Sequence, residues 1–190
     1  HDDNDDYVCE VHDDVDPEDE DALVWLQNAG LIYKVSLCQT PQLPLKSYED
    51  LSIFKIYCLD VGLLRVLSEV SPEAYFNDNP AFKEFKGALA ENYVLQSLIA
   101  SGVKCSRYWA SGNKAEVEFI IQEGLDIIPI EVKSGTSVTG KSLVEYNKKY
   151  SPKLRLRFSM LNMKKDDTFV NMPLFMADRA KELIERLTCQ

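Results

Sequence analysis

The chain has 190 residues, 45% of them hydrophobic, so it can form one ordinary globular domain or two small ones. Its formal net charge of −10 is uneven, because residues 1–21 hold 12 acidic and no basic residues, whereas residues 22–190 hold 19 acidic and 21 basic residues. The body of the chain is therefore nearly neutral, which neither demands nor excludes a nucleic-acid partner.

The sequence contains neither an apolar run of the about 18 residues that a membrane span requires nor a signal peptide. Its five cysteines are scattered and form no Cys-x-x-Cys pair, which argues against a disulfide framework or a zinc site. These features predict a protein of the reducing cytoplasm. The chain begins at His1 rather than Met, and we interpret it as a fragment of a longer protein.

Residues 1–16 are too acidic and too poor in apolar side chains to bury themselves, so we expect a disordered leader. Asp16-Pro17 is typical of an N-cap followed by the first residue of a helix, and Gly30 is typical of a helix end. The spacing of the apolar residues between them predicts a helical apolar stripe made of Ala22, Trp25, Leu26 and Ala29.

A strand over Leu31–Leu37, a proline-containing loop and a second strand over Ile53–Leu59 come next. Helix, strand, loop and strand predict a winged-helix-like segment over residues 17–70. Such a segment either binds DNA or packs against the rest of the protein, and its wing carries only Lys46. A short helix from Asp60 precedes a predicted linker over residues 71–79.

Asn79-Pro80 opens the longest predicted helix, which ends at Gly102. Glu91 lies on its apolar stripe, where a carboxylate is costly unless it is paired, hydrogen-bonded or metal-bound. Glu91 is therefore a candidate site residue. The alternative is a helix-edge glutamate that pairs with Lys83, Lys86 or a backbone group.

Two β-like runs, Glu116–Gln122 and Ile127–Lys133, flank a turn with Gly124 at its first central position, as in a type II′ hairpin. This register places Glu118 opposite Glu131 and Glu116 opposite Lys133, all on one face. The other face is predicted to be a core face formed by Val117, Phe119, Ile130 and Val132.

Facing carboxylates repel each other, so the pair Glu118 and Glu131 needs a positive charge between them. Either a divalent cation or the Lys133 ammonium can supply that charge. The alternative interpretation is an ordinary solvated face of an amphipathic hairpin.

Beyond the hairpin we expect a helix over Lys141–Tyr150, a strand from Lys153, a short strand over Phe169–Phe175 and a closing helix capped by Asp178. The strand from Lys153 alternates basic and apolar residues, so its basic side chains point outward. They face either a phosphate backbone or solvent, and they are Lys153, Arg155 and Arg157.

Gly135–Ser142 fits the phosphate-loop pattern G-x-x-x-x-G-K-[ST], with a strand before it and a helix after it. Against nucleotide binding, Glu131 and Lys133 interrupt the preceding strand, which should be continuously apolar. Too few residues follow Ser142 to build the parallel units of such a domain.

Taken together, Glu91, Glu118, Glu131 and Lys133 resemble the site of the PD-(D/E)XK nuclease-like superfamily. More closely, residues 22–187 resemble the uncharacterised C-terminal domain of bacterial and archaeal AAA-type ATP-binding proteins. The matching stretches include Lys86-Gly-Ala-Leu-Ala-Glu-Asn-Tyr-Val, Ala115-Glu-Val-Glu-Phe and Ile128-Pro-Ile-Glu-Val-Lys-Ser-Gly.

The resemblance implies an α/β (α+β) fold with a restriction-endonuclease-like core over residues 80–190, in which helices flank a mixed central sheet. It implies Mg²⁺ or Mn²⁺ held by Glu118 and Glu131, with Glu91 holding the metal through water. Lys133 would be the general base or the cation that positions the attacking water. The family usually has Asp where Glu118 stands, and the longer side chain would move the metal or weaken its binding.

The implied activity is metal-dependent hydrolysis of DNA by a module attached to an ATPase domain that lies outside this chain. A catalytically inactive nuclease-like fold that binds nucleic acid or protein is the alternative, because a fold can persist after its activity is lost. Nucleotide binding through Gly135–Ser142 is the second alternative.

Overall fold

The computed structural model describes residues 10–11, 17–71, 82–112, 114–136 and 140–188. The described chain is a mixed α/β protein with two five-stranded mixed sheets and flanking helices. Most of the predicted acidic leader and of the linker 71–79 lies outside the described residues. The exceptions are Ser71 and the short strand Glu10–Val11.

The first sheet has the order β1-β3-β2-β4-β5 and combines strands that are distant in the sequence. β2 and β4 pair in parallel, with Ser36 opposite Arg107 and Leu37 opposite Tyr108. The sheet therefore connects the predicted winged-helix-like segment to the C-terminal half, and a winged helix is not confirmed. Its strands are β1 (Glu10–Val11), β2 (Ile32–Leu37), β3 (Asp50–Cys58), β4 (Arg107–Ala110) and β5 (Glu116–Val117).

The second sheet has the order β6-β7-β8-β10-β9, with three parallel strands between antiparallel edges. β7 is rich in isoleucine and valine, as a central strand buried on both faces requires. The strands are β6 (Phe119–Glu123), β7 (Asp126–Val132), β8 (Arg155–Ser159), β9 (Lys164–Asp166) and β10 (Phe169–Pro173).

The predicted hairpin register is confirmed from Phe119, opposite Ile130, to Glu123, opposite Asp126. Gly124 has a φ of +58°, as a type II′ turn requires at its first central residue. The prediction is wrong for Glu116, which pairs with Ala110 in β4 and not with Lys133. The strand breaks at Glu118, so the prediction that Val117 shares a core face with Phe119 is also wrong.

Five α-helices flank the sheets in the described part of the chain. They are α1 (Pro17–Asn28), α2 (Val61–Leu67), α3 (Lys83–Ala100), α4 (Lys141–Tyr150) and α5 (Ala180–Thr188). Short 3₁₀ turns occupy Leu45–Tyr48 and Leu174–Arg179. No helix in the described ranges has the length and apolar character needed to cross a lipid bilayer.

The β6–β7 hairpin lies between two hydrophobic clusters. On one side, Val94, Leu95 and Leu98 of α3 pack with Phe119 and Ile130 in the main core. On the other side, a smaller cluster contains Ile120 from the hairpin, Trp109 from β4 and Leu143 and Tyr146 from α4. Polar side chains at the end of β7 are therefore enclosed from both directions.

The apolar stripe of helix α1 is largely exposed. Trp25 is 66% exposed, Ala22 and Ala29 are also exposed, and only Leu26 of the predicted stripe is half-buried. The helix predicted from the spacing of these residues is confirmed, but their apolar stripe is not a buried face.

Candidate functional site

Three of the four predicted site residues meet at the end of the hairpin. The Lys133 Nζ lies 3.2 Å from Glu118 Oε1 and 3.7 Å from Glu131 Oε1. Glu118 and Glu131 are buried, with exposed fractions of 6% and 1%, whereas the Lys133 side chain is 32% exposed. The two carboxylates therefore share one ammonium that opens to solvent on one side.

Glu118 reaches the site because the backbone breaks between β5 and β6. The Val132 N–H donates a hydrogen bond of 3.1 Å to Glu118 Oε2. The Glu118 side chain therefore satisfies a backbone donor at the end of β7, which fixes its orientation. Its other oxygen, Oε1, accepts from Lys133.

Glu131 is the less satisfied of the two carboxylates. Parallel pairing of β7 with β8 places Arg157 beside it, with Nη1 3.8 Å from Glu131 Oε2. Within the described residues, neither buried Glu131 oxygen accepts a hydrogen bond. A buried carboxylate in this state is costly, so its oxygens are suited to a further cation or donor.

Glu91 approaches the same region from α3. The Tyr57 hydroxyl on β3 donates a hydrogen bond of 3.1 Å to Glu91 Oε2. Burial and the Glu118 charge raise the pKa of Glu91 to about 8, although the Lys55 charge opposes the rise. Glu91 thus belongs to the same electrostatic cluster as Glu118.

Two residues that sequence reasoning missed, Lys55 and Tyr57, lie on β3. Lys55 is 1% exposed, forms an ion pair with Glu116, and its Nζ lies 5.0 Å from the Tyr108 ring centroid. The available signal was a lysine in the middle of the apolar run Ile53–Tyr57. Its partner could not be inferred because Glu116 was assigned to Lys133.

The pKa values of Glu118, Glu131 and Lys133 are all raised. Burial raises the pKa of Glu118, Lys133 opposes the rise and Glu131 adds to it. Burial also raises the pKa of Glu131, although Lys133 and Arg157 oppose that rise. Burial lowers the pKa of Lys133, but the charges of Glu118 and Glu131 outweigh burial, so the pKa is raised.

A divalent cation at this site would have two carboxylates as protein ligands. Across the described residues, no group of three or more His, Cys, Asp or Glu side chains is arranged to hold a metal ion. Mg²⁺ commonly uses one or two carboxylates and keeps several waters, so Glu118 and Glu131 would be sufficient protein ligands. Glu91 stays a predicted ligand through water.

The phosphate-loop match lies next to this site. Gly140 and Lys141 lie at the start of α4, and residues 137–139 are outside the described residues. A Cβ added at Gly140 would lie 3.4 Å from Glu131 Oε2 and 3.1 Å from Arg157 Nη1. Gly140 therefore allows the start of α4 to approach the carboxylate closely.

Fold and site together define a mixed α/β protein in which a hairpin presents two buried glutamates and a lysine. Residues 86–175 match the family model described as Domain of unknown function (DUF4143), and residues 14–74 match the one described as Domain of unknown function (DUF8612). No curated protein and no solved structure matches the chain. Two stretches of the chain are thus similar to domains of unknown function, and all four predicted site residues lie in the range of the first match.

Proposed function

We propose that the C-terminal part of the protein is a nuclease-like module with a restriction-endonuclease-like core, which hydrolyses phosphodiester bonds of DNA with Mg²⁺ or Mn²⁺. The observation that carries this proposal is the convergence of Glu118, Glu131 and Lys133. Both oxygens of Glu131 lack a hydrogen bond from any described residue, so they can bind a cation. The hairpin order Glu118, then Glu131-Val-Lys133, matches the motif of the resembled superfamily.

Each side chain has a distinct role in this proposal. A bound cation would lower the pKa of a water and polarise a phosphoryl oxygen. Glu118, fixed by the Val132 N–H, and Glu131 would hold that cation. Lys133 would act as the general base or position the attacking water, and it would stabilise negative charge developing on the phosphate.

One observation favours the alternative of a catalytically inactive, nucleic-acid-binding or protein-binding fold. The Lys133 ammonium already supplies positive charge to both carboxylates at 3.2 and 3.7 Å. A protein that uses this lysine in place of a metal would keep the fold without the chemistry.

The wider context rests on the resemblance. It implies that this module is the C-terminal part of a AAA-type ATP-binding protein whose ATPase domain lies outside this chain. The order helix, strand, loop and strand supports a winged-helix-like segment over residues 17–70. Nucleotide binding at Gly135–Ser142 is the remaining alternative, and it is supported by Lys141, which lines a large cavity.

A nicking assay on supercoiled plasmid DNA with Mn²⁺ tests the proposal. We expect nicking by the wild-type protein and its loss in both Glu131→Gln and Lys133→Ala. Glu123→Gln, which alters an exposed carboxylate of the same hairpin, is the matched control and should nick like wild type. Folded wild-type protein that does not nick would favour the inactive fold.

A further inference from the structure

A groove whose lining includes five basic side chains opens beside Glu131. Its volume is about 1010 Å³, and it lies between α4, β8 and the turn that joins β9 to β10. Three acidic residues, Glu145, Asp166 and Asp167, also line it. The groove is therefore positive in a chain whose net charge is −10, and its cations are Lys114, Lys141, Lys148, Arg155 and Arg157.

The internal contacts of the groove leave much of this charge available. Lys148 is partly neutralised by Glu145, since its Nζ lies 2.6 Å from Glu145 Oε1. Arg155, in contrast, donates to the neutral hydroxyl of Thr168 at 2.9 and 3.2 Å. This contact orients the guanidinium without cancelling its charge.

Arg157 connects the groove to the candidate site. Its guanidinium carbon lies 4.6 Å from the Phe169 ring centroid, and its Nη1 lies 3.8 Å from Glu131 Oε2. Gly140 borders both residues, and a Cβ there would come within 3.1 Å of Arg157. The groove thus reaches the Glu131 carboxylate at Gly140, where no side chain stands between them.

We propose that this basic groove holds the sugar–phosphate backbone of a DNA strand and leads it to Glu131 and Lys133. Five cations along one groove match a chain of regularly spaced phosphates better than a single small anion, which needs only one or two. This inference rests on the proposed function, because it assigns the path by which DNA reaches the same site.

DNA binding without cleavage tests the path. The protein is titrated in EDTA against a fluorescein-labelled single-stranded oligonucleotide, and anisotropy is followed over a range of salt concentrations. The test variant is Lys141→Ala/Lys148→Ala. The matched control is Lys153→Ala, because Lys153 is 76% exposed, pairs with Asp126 and does not line the groove.

Each phosphate contact to a single strand contributes about 0.7 to the slope of log affinity against log salt. We take wild type and variant to bind equally at 1 M salt. The loss of one phosphate contact then weakens binding at 0.1 M salt about fivefold, and the loss of two weakens it about 25-fold. We therefore expect the double variant to bind about 25-fold more weakly with a slope smaller by about 1.4, and Lys153→Ala to bind like wild type.

Equal binding by the double variant and Lys153→Ala would overturn the proposed path, as would an absence of DNA binding by the wild-type protein. Displacement of the DNA by polyglutamate at an equal concentration of charge would assign the groove to acidic peptides and also overturn it. The path and the proposed function fail separately, because Mn²⁺ binding that depends on Glu131 can persist when the double variant binds DNA normally.

Discussion

Replacing Lys133 by Met removes the only ammonium within ion-pair distance of both Glu118 and Glu131 among the described residues. At an effective dielectric constant of about 20, each contact is worth roughly 5 kcal/mol before desolvation is counted. Loss of one partner of a buried ion pair typically costs about 3–5 kcal/mol. Because the Lys133 side chain is 32% exposed, we expect a loss of about 2–3 kcal/mol in the free energy of unfolding.

Urea unfolding in EDTA near neutral pH measures this loss. The matched control is Lys148→Met, whose ammonium lies 2.6 Å from Glu145 Oε1 but on a side chain that is 65% exposed. An exposed pair of this kind should contribute less than about 1 kcal/mol. Both lysines form ion pairs, so the difference between the two losses in unfolding free energy measures the effect of burying the charges.

The loss in Lys133→Met should shrink under two conditions. The pKa values of Glu118 and Glu131 are already raised, and removing the ammonium raises them further, so the folded variant binds more protons than the unfolded chain. Its stability therefore rises as pH falls from neutrality towards the unfolded carboxyl pKa. A cation at about 100 times its Kd for the variant would add about 2.7 kcal/mol, and it should stabilise wild type less because the Lys133 ammonium competes with it for the two carboxylates.

A Lys133→Met variant as stable as Lys148→Met would refute the reasoning that the ammonium compensates two buried carboxylates. A loss that neither acid nor Mn²⁺ reduces would refute it as well, because repulsion between carboxylates must respond to both.

Three further predictions concern the parts around the site. In wild type, a Glu91 carboxyl whose folded pKa is about 8 binds extra protons in the folded state between about pH 4.5 and pH 8, so stability falls as pH rises over that range. Glu91→Gln should make this fall smaller, and urea unfolding at several pH values measures it. Leu98→Ala should cost about 2–5 kcal/mol in urea unfolding, whereas Trp25→Ala, at a side chain 66% exposed, should change stability by about 0.5 kcal/mol or less. Gly124→Ala, at a φ of +58°, should lower the melting temperature through a cost of about 1–2 kcal/mol, whereas Gly87→Ala within α3 should raise it; the reverse order would contradict the turn geometry.

The hairpin could be predicted from the sequence because its information is local. Gly124 fixes the turn, and the alternation of side chains on either side fixes the register between Phe119 and Ile130. The position of Glu118 near Glu131 and Lys133 followed from that register. The helix bounds near Pro17 and Gly30 were likewise set by local capping and turn chemistry.

The remaining errors have a non-local cause. Parallel pairing of β2 with β4 joins residues about 70 positions apart, and neither strand carries a local signal for its partner. Lys55 and Glu116 meet because of that sheet, so their ion pair could not be anticipated. The exposure of Trp25 has a similar origin, since a helical period does not say which element will cover it.

Arg157 illustrates the same limit at the site itself. The sequence placed it outward on a strand, facing phosphate or solvent, together with Lys153 and Arg155. The parallel pairing of β7 with β8 instead sets it beside Glu131, with its side chain 12% exposed. Lys153 lies outside β8 and pairs with Asp126, so of these three basic residues only Arg155 and Arg157 line the basic groove.

Mn²⁺ binding, measured by electron paramagnetic resonance of the free ion, tests the two-carboxylate site most directly. We expect wild-type protein and Glu123→Gln to bind one Mn²⁺ each, and Glu131→Gln, although folded, to bind none. Equal Mn²⁺ binding by wild type and Glu131→Gln, or no binding by either, would contradict it.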